Sequence, residues 1–346
     1  MIENTPPAQR RPIRAGERWD LGFPAERSVT QWERRHEAGE VPGRWPYGLD
    51  ALSAFADVRP IDLREPGLLS KARSRAGLGI RPVSDAVGIT WDENAAWRMS
   101  IVAPHASRAT GVIWLTDTAA RGGEVGGLAR VLAGCDVLWA LSEAQLEPLS
   151  SLVPGPRCEY VRFAIDHEFF TPQPLPPVLR VVSVGGDRDR DTAALFRAFE
   201  IIRERMPHVE LVAQTTSTLP PPPGVTIVRH LPHARLRDLY ASATVVMIAT
   251  HANLHVSGMT VSLEAMATGR PVTITRTPGM EDYVEEGRTG LLSPVDDPDA
   301  LAAHTIDLLS DPERVAAMGA AARTVVESRF TPAHMAAQIA RIVSGL

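Results

Sequence analysis

Lysine is almost missing from this chain: Lys71 is the only one, and arginine supplies nearly all of the positive charge. With a formal net charge of -5, there is no basic footprint of the kind that points to nucleic acid. The two cysteines, Cys135 and Cys158, sit in no CxxC or Cys/His spacing, which disfavours a disulfide framework and a zinc site. No apolar run approaches the ~20 residues that span a bilayer. The opening MIENTPPAQRRPIRAGERWD lacks the apolar core of a signal peptide. What is present is ordinary for a globular protein: 44% hydrophobic and 22% charged residues over 346 positions, enough for about two domains. The expectation is a cytoplasmic, two-domain protein.

The C-terminal half reads most clearly. VLRVVSVGG (Val178 to Gly186) is a β-branched run ending in glycines, as expected of a buried strand. Asp191 to Arg205 follows with Leu195, Phe196, Phe199 and Ile202 at helical spacing. Strand-like VELVA, VTIV, VVMIA and PVTIT then alternate with helices from His233 and from Thr260. Such alternation predicts a parallel sheet covered on both faces. From Asp297 onward the signals are helical, ending in a helix from Pro332 to Val343. FFTPQPLPPVL, near residues 169–178, reads as a linker because its prolines can continue neither a helix nor a central strand. In the N-terminal half AVGIT (Ala86 to Thr90), GVIWLT (Gly111 to Thr116) and DVLWALS (Asp136 to Ser142) are expected as buried strands, with helices at Glu124 to Ala133 and Glu143 to Leu152. Residues 1–60 show no clear opening strand.

Ligands of open α/β sheets sit beyond the carboxyl ends of the strands. After VVSVGG comes Asp187-Arg188-Asp189-Arg190-Asp191; the glycines let backbone approach a ligand, and arginine can hold phosphate oxygens, while the alternative is a solvated loop of self-paired charges. After VVMIA, Ser257 and Gly258 precede an apolar helical run, so the N–H groups of Gly258, Met259 and Thr260 form an anion site at a helix start. Glu264 lies one turn further on, able either to accept from sugar hydroxyls or to pair within its helix.

SLEAMATGRPV (Ser262 to Val272), TPGMEDYVEEGRTGLL (Thr277 to Leu292) and the helical tail from Asp296 resemble the C-terminal domain of family-four glycosyltransferases of the GT-B fold. The resemblance covers about half the chain, from about Val178, and continues weakly upstream through ALSEAQLEPL and YVRFAIDHEFFTP. It implies an α/β architecture of two Rossmann-like domains facing each other across a cleft. The division would be an acceptor-binding domain over residues 1–168, the linker, a nucleotide-sugar domain over 179–330, and a last helix in 331–346 packing back toward the first domain. It further implies that Glu264 binds the donor ribose, that Gly258, Met259 and Thr260 face the donor diphosphate with Gly185 and Gly186, that Arg190 and Arg188 neutralise that diphosphate, and that His230 and Leu231 hold the base. Asp282 matches a position with a structural role.

Two departures stand out. Val256 occupies the place of the family's first glutamate, so the donor sugar would need His255, Asn253 or Ser257 instead. The strand end that carries a histidine in the family reads here as Thr90-Trp91-Asp92-Glu93; Asp92 and Glu93 are either a general base for the acceptor hydroxyl or a helix cap, and Asp117 is a further candidate. The resemblance implies retention of anomeric configuration, no required cofactor and no metal, with a UDP- or GDP-linked sugar as donor and an unidentified hydroxyl acceptor. His251 and His255 have i,i+4 spacing, but their loop context argues against zinc. Leu68 to Arg81 mixes leucines with basic residues; a solvated basic face is favoured, with peripheral contact at the inner face of the membrane as the alternative. The competing functional reading is a GT-B accessory protein that keeps the fold without the activity.

Overall fold

The computed structural model describes residues 17–68, 82 and 84–346. Its strands are β1 (Arg18–Pro24), β2 (Asp57–Leu63), β3 (Ser84–Thr90), β4 (His105–Gly111), β5 (Val137–Ala140), β6 (Arg157–Tyr160), β7 (Arg180–Gly185), β8 (Glu210–Thr215), β9 (Val225–Val228), β10 (Val245–Ile248), β11 (Val272–Thr275) and β12 (Gly290–Ser293). They form two parallel six-stranded sheets, ordered β2-β1-β3-β4-β5-β6 and β12-β11-β10-β7-β8-β9. The helices are α1 (Val29–Glu37), α2 (Glu93–Val102), α3 (Leu115–Ala120), α4 (Gly126–Leu132), α5 (Leu146–Leu152), α6 (Thr192–Arg205), α7 (His233–Ala241), α8 (Met259–Ala267), α9 (Pro298–Leu309), α10 (Pro312–Arg329) and α11 (Pro332–Val343).

VVMI in β10 and VTIT in β11 are buried at every position, because helices cover both faces of a parallel sheet. α6 supplies one cover with Leu195, Phe196, Phe199 and Ile202, all buried. Its start is fixed by Asp191, which accepts from Ala194 N at 2.9 Å, a cap contributing about 1 kcal/mol. The direction of strand addition reverses between β7 and β10, and in the first sheet between β1 and β3. At such switch points the loops splay apart and open a crevice.

The N-terminal half departs from expectation twice. The opening strand, not recognised in the sequence, is β1, an inner strand paired with both β2 and β3. Its charges hid it: Asp20 is taken up by His105 Nε2 at 2.8 Å and Ser84 Oγ at 3.1 Å, while Trp19 and Leu21 are buried. β2 is the edge strand, mostly exposed, where Pro60 is tolerated. The second correction concerns GVIWLT. The strand is β4, which ends at Gly111; Val112 and Leu115 are buried at a turn that leads directly into α3. The apolar run marked burial, and a turn against Glu93 satisfies burial as well as a strand does.

Residues 161–179 cross from one sheet to the other, held by Arg270, which donates to the carbonyls of Pro174 and Ala241 at 2.8 Å each. α11 lies against the N-terminal domain, with Gln338 Oε1 accepting from Arg162 N at 3.1 Å and Arg157 donating to Ile342 O at 2.8 Å. A continuous apolar cluster runs between the domains through Phe163, Phe170, Tyr283 and Phe330. No helix among the described residues is long and apolar enough to cross a membrane. Of the Leu68 to Arg81 segment only Leu68 is described, and it is exposed; the rest lies outside the described residues.

Candidate functional site

The ends of β7 and β10 face the N-terminal domain across a cleft of about 860 Å³. Gly185, Gly186, Asp187 and Arg190 line it from the β7 loop; His255 to Val261 and Glu264 line it from the β10 loop and α8. Tyr47, Trp91, Asp92, Trp114 and Phe163 form the opposite wall. A chamber of about 470 Å³ beside Trp32, Arg35 and His233 shares Thr260 and Glu264 with the cleft. A further recess of about 440 Å³ shares Asn94, Trp114, Gly186 and Asp187 with it.

Arg190 occupies the floor. Its backbone N–H donates to Asp187 O at 3.1 Å and its strand-like segment bridges to Thr250, which fixes where the side chain starts. The guanidinium is half-buried, and its Nε and Nη1 are sealed from solvent without any hydrogen-bond partner. Burial pulls its pKa below the usual value, opposed by Asp187 and Glu264, yet a guanidinium stays charged. Glycines make the space for it. A Cβ on Gly185 would collide with Arg190 Nε, and one on Gly258 would stand 2.9 Å from Arg190 Nη1. Gly258 has φ 102, a left-handed conformation, and is the N-cap of α8. Met259 N donates to Val256 O at 3.1 Å, so Thr260 and the positive end of the helix dipole present the first-turn N–H beside the unpaired guanidinium. This is a cradle for a polyanion.

One turn along α8, Glu264 is 7% exposed and accepts from Tyr240 Oη at 2.6 Å. Burial lifts its pKa to about 7, against the pull of Tyr240 and Arg190. Thr260 and Met259 hold the first turn, Thr260 toward both cavities. Val256 is fully buried at φ 55, a conformation that costs a β-branched residue about 1–3 kcal/mol and tends to persist at functional sites.

Other expected residues are engaged with their neighbours. Asp92 lines the cleft and caps α2, accepting from Asn94 N and Ala95 N at 2.9 Å each. Glu93 is buried and accepts from Ile113 N at 2.9 Å and Trp114 N at 2.7 Å. Both of its oxygens hold the β4–α3 turn, and burial raises its pKa. Arg188 turns away from Arg190 to meet Thr118 Oγ1 at 3.3 Å and Trp114 O at 3.4 Å, across the cleft. Ser257 Oγ donates to Asp187 at 2.6 Å, and Asn253 Oδ1 accepts from Ser257 N at 2.9 Å. His230 is exposed and Leu231 half-buried on the loop before α7, outside the walls of the three cavities, although Gln214 of the cleft donates to the neighbouring Arg229 O. His251 and His255 each stand within a group of possible metal ligands, with Asp191 and Asp296 and with Asp187 and Asp189 respectively.

The most consequential group underweighted in the sequence is Asp117. It is buried, and it bonds to the backbone and the ring of His255 from the other domain. Nothing in the local sequence pairs two residues so far apart. An Asp directly after the apolar run GVIWLT was the available signal.

Residues 179–311 match the family model described as "Glycosyl transferases group 1". The family resemblance over the C-terminal half is thereby borne out. A GDP-mannose-dependent alpha-(1-6)-phosphatidylinositol monomannoside mannosyltransferase of Mycolicibacterium smegmatis is 32% identical over 166 residues, covering 44% of this chain and 44% of that protein. A D-inositol 3-phosphate glycosyltransferase of Corynebacterium urealyticum is 34% identical over 113 residues, 33% of this chain and 24% of that one. The match thus spans less than half the length of these curated relatives. Among solved structures, a sucrose-phosphate synthase from Thermosynechococcus elongatus superposes with a TM-score of 0.67 at 16% identity, over 94% of this chain and 98% of that one. Alr3699/HepE of Anabaena in complex with UDP-glucose gives a TM-score of 0.68 at 14% identity, over 95% of this chain and all of that one. The chain has the GT-B fold, with two Rossmann-like domains.

Proposed function

We propose that this protein is a glycosyltransferase that moves a sugar from a nucleotide-sugar to an acceptor hydroxyl, with retention of anomeric configuration. The observation that carries the reading is Arg190: a half-buried guanidinium on the cleft floor, without a hydrogen-bond partner among the described residues, set under a glycine-capped helix start. Leaving a buried charged donor unpaired is costly unless a ligand completes it. The diphosphate lies against Arg190 and the first turn of α8, its ribose hydroxyls donate to Glu264, and the base extends toward Gln214 and the loop of His230 and Leu231. Catalysis then comes from stabilising negative charge on the departing diphosphate. Arg190 and the helix end supply that charge in place of a metal, so turnover survives a chelator.

The acceptor enters from the N-terminal wall, through the recess beside Asn94, Trp114 and Thr118. UDP- and GDP-linked hexoses are the donors to assay, with inositol phosphates as the first acceptors because two of the similar proteins are named for inositol compounds. The test is nucleoside diphosphate release dependent on acceptor, with NMR of the product's anomeric proton. Transfer with retention supports the proposal; transfer with inversion removes that part of it. Nucleotide binding without transfer or slow donor hydrolysis favours the accessory reading.

A further inference from the structure

Asp117 belongs to α3 of the N-terminal domain, but its hydrogen bonds come from the C-terminal one. Leu254 N donates to Oδ1 at 2.8 Å, and His255 N donates to Oδ2 at 3.1 Å. His255 Nδ1 meets the same Oδ2 at 2.7 Å. On the far side of the ring, Nε2 stands 3.3 Å from Asp187 Oδ2 and 3.6 Å from Asp189 Oδ2. Both ring nitrogens therefore face carboxylates, and only the imidazolium carries an N–H at each.

The charged groups around this ring are few. Asp117 faces it from α3; Asp187 and Asp189 face it from the β7 loop. Arg121 spans the same gap, paired with Asp189 at 2.5 Å and donating to Ala252 O at 3.3 Å, and Arg188 lies beside Asp189 at 3.4 Å. His251, in the same loop as His255, pairs instead with Asp191. The loop from Asn253 to Gly258 is thus suspended between a carboxylate of each domain, with Ser257 also bonded to Asp187. Val256 is held at φ 55 in its middle, a conformation that a β-branched residue keeps only where its surroundings enforce it. The same loop ends in the N-cap of α8.

We propose that Asp117 and His255 are positioning residues: their charged bridge holds the two domains closed over the cleft and sets the start of α8 against the donor diphosphate. This rests on the nucleotide-sugar reading of the cleft. Neither residue need touch the donor. Asp117 acts through His255, and His255 acts through the loop and Asp187.

Burial pulls the His255 pKa down, and the hydrogen bonds and charges of Asp117 and Asp187 overcome it, raising it to about 9. Burial also works against ionising Asp187, yet His255 and Ser257 hold its carboxyl well below the usual range.

The test is titration calorimetry with UDP and GDP at pH 7 on wild type, Asp117→Asn, His255→Gln and the double variant, with small-angle scattering of each. Each single variant is expected to weaken nucleotide binding about tenfold or more. The double variant should lose no more than the worse single one, because both break one bridge. The variants should also scatter as a more open particle. Asp117→Glu, which keeps the carboxylate, should recover part of the affinity, and this separates lost charge from misfolding. Folded variants that bind as wild type, with its dimensions, overturn the bridge. Wild-type binding that a chelator abolishes and Mn²⁺ restores also overturns it, by giving Asp187, Asp189 and His255 to a cation. If wild type binds neither nucleotide, the donor-site reading fails instead, and scattering of wild type against the two single variants still decides whether the bridge closes the domains.

Discussion

On the C-terminal wall of the cleft Arg190 keeps two nitrogens without partners among the described residues, whereas behind the N-terminal wall Glu93 and Asp117 have both carboxylate oxygens bonded to backbone N–H groups or to His255, and Asp92 on that wall caps α2 through Oδ1. The first wall is built around a gap in its hydrogen bonding. The second is self-sufficient, and its polar groups hold turns and bridge domains. A charged group on a cleft floor that the chain leaves unpaired is a stronger sign of a ligand than one whose partners the chain supplies. A charged residue in a cleft is therefore a weak functional signal until its partners are counted.

The contrast breaks most sharply at Arg190. Arg190→Ala is expected to cut turnover by about 10² or more, read as kcat in the donor-consumption assay. Gly258→Ala comes next. A Cβ there meets Ile274 Cδ1 at 2.7 Å and Arg190 Nη1 at 2.9 Å, and φ 102 strains any L side chain. Loss of about 1–3 kcal/mol in denaturant unfolding is expected, together with weaker nucleotide binding.

Glu264→Gln should cost about tenfold in nucleotide affinity, the scale of a hydrogen bond to a charged group. The wild-type affinity should rise between about pH 6 and 8, because ribose hydroxyls donate to the ionised carboxyl, whose pKa without ligand is about 7. Without ligand the sign is the reverse. A carboxyl raised by burial adds stability below its ordinary pKa and loses it as pH rises through about 7, so Glu264→Gln should flatten that slope in thermal melts. The smallest effect belongs to the N-terminal wall. Asp92→Ala removes a helix cap and should cost about 1 kcal/mol of stability while changing kcat by less than about twofold.

What could be read in the chain follows the same division. VVMIA, PVTIT and the Ser257-Gly258 pair ahead of SLEAMATGRPV declare buried strands and a glycine-started helix locally, so the second sheet and the helix start at Gly258 were legible from sequence. β1 was not, because Arg18 and Asp20 interrupt its apolar pattern, and the partners that neutralise them, His105, Ser84 and Asp85, lie more than sixty positions away. GVIWLT misled for a related reason: burial at a turn carries the same composition as burial in a strand. Arg190 was legible as a residue type beside glycines, but that its nitrogens lack partners is a fact of three-dimensional packing alone. His255 and Asp117 were each visible as candidates; the bridge between them is not a property of either neighbourhood.

The central claim is that the C-terminal wall binds a nucleoside diphosphate through Arg190. The direct measurement is a thermal-shift titration of wild type and Arg190→Ala with UDP, GDP and their hexose conjugates. Wild type should gain about 2.7 kcal/mol of stability at a hundredfold excess over Kd with one base preferred, and Arg190→Ala, folded by circular dichroism, should lose most of that gain. Equal shifts in the two proteins would contradict the account, since the unpaired guanidinium would then have no part in holding the ligand.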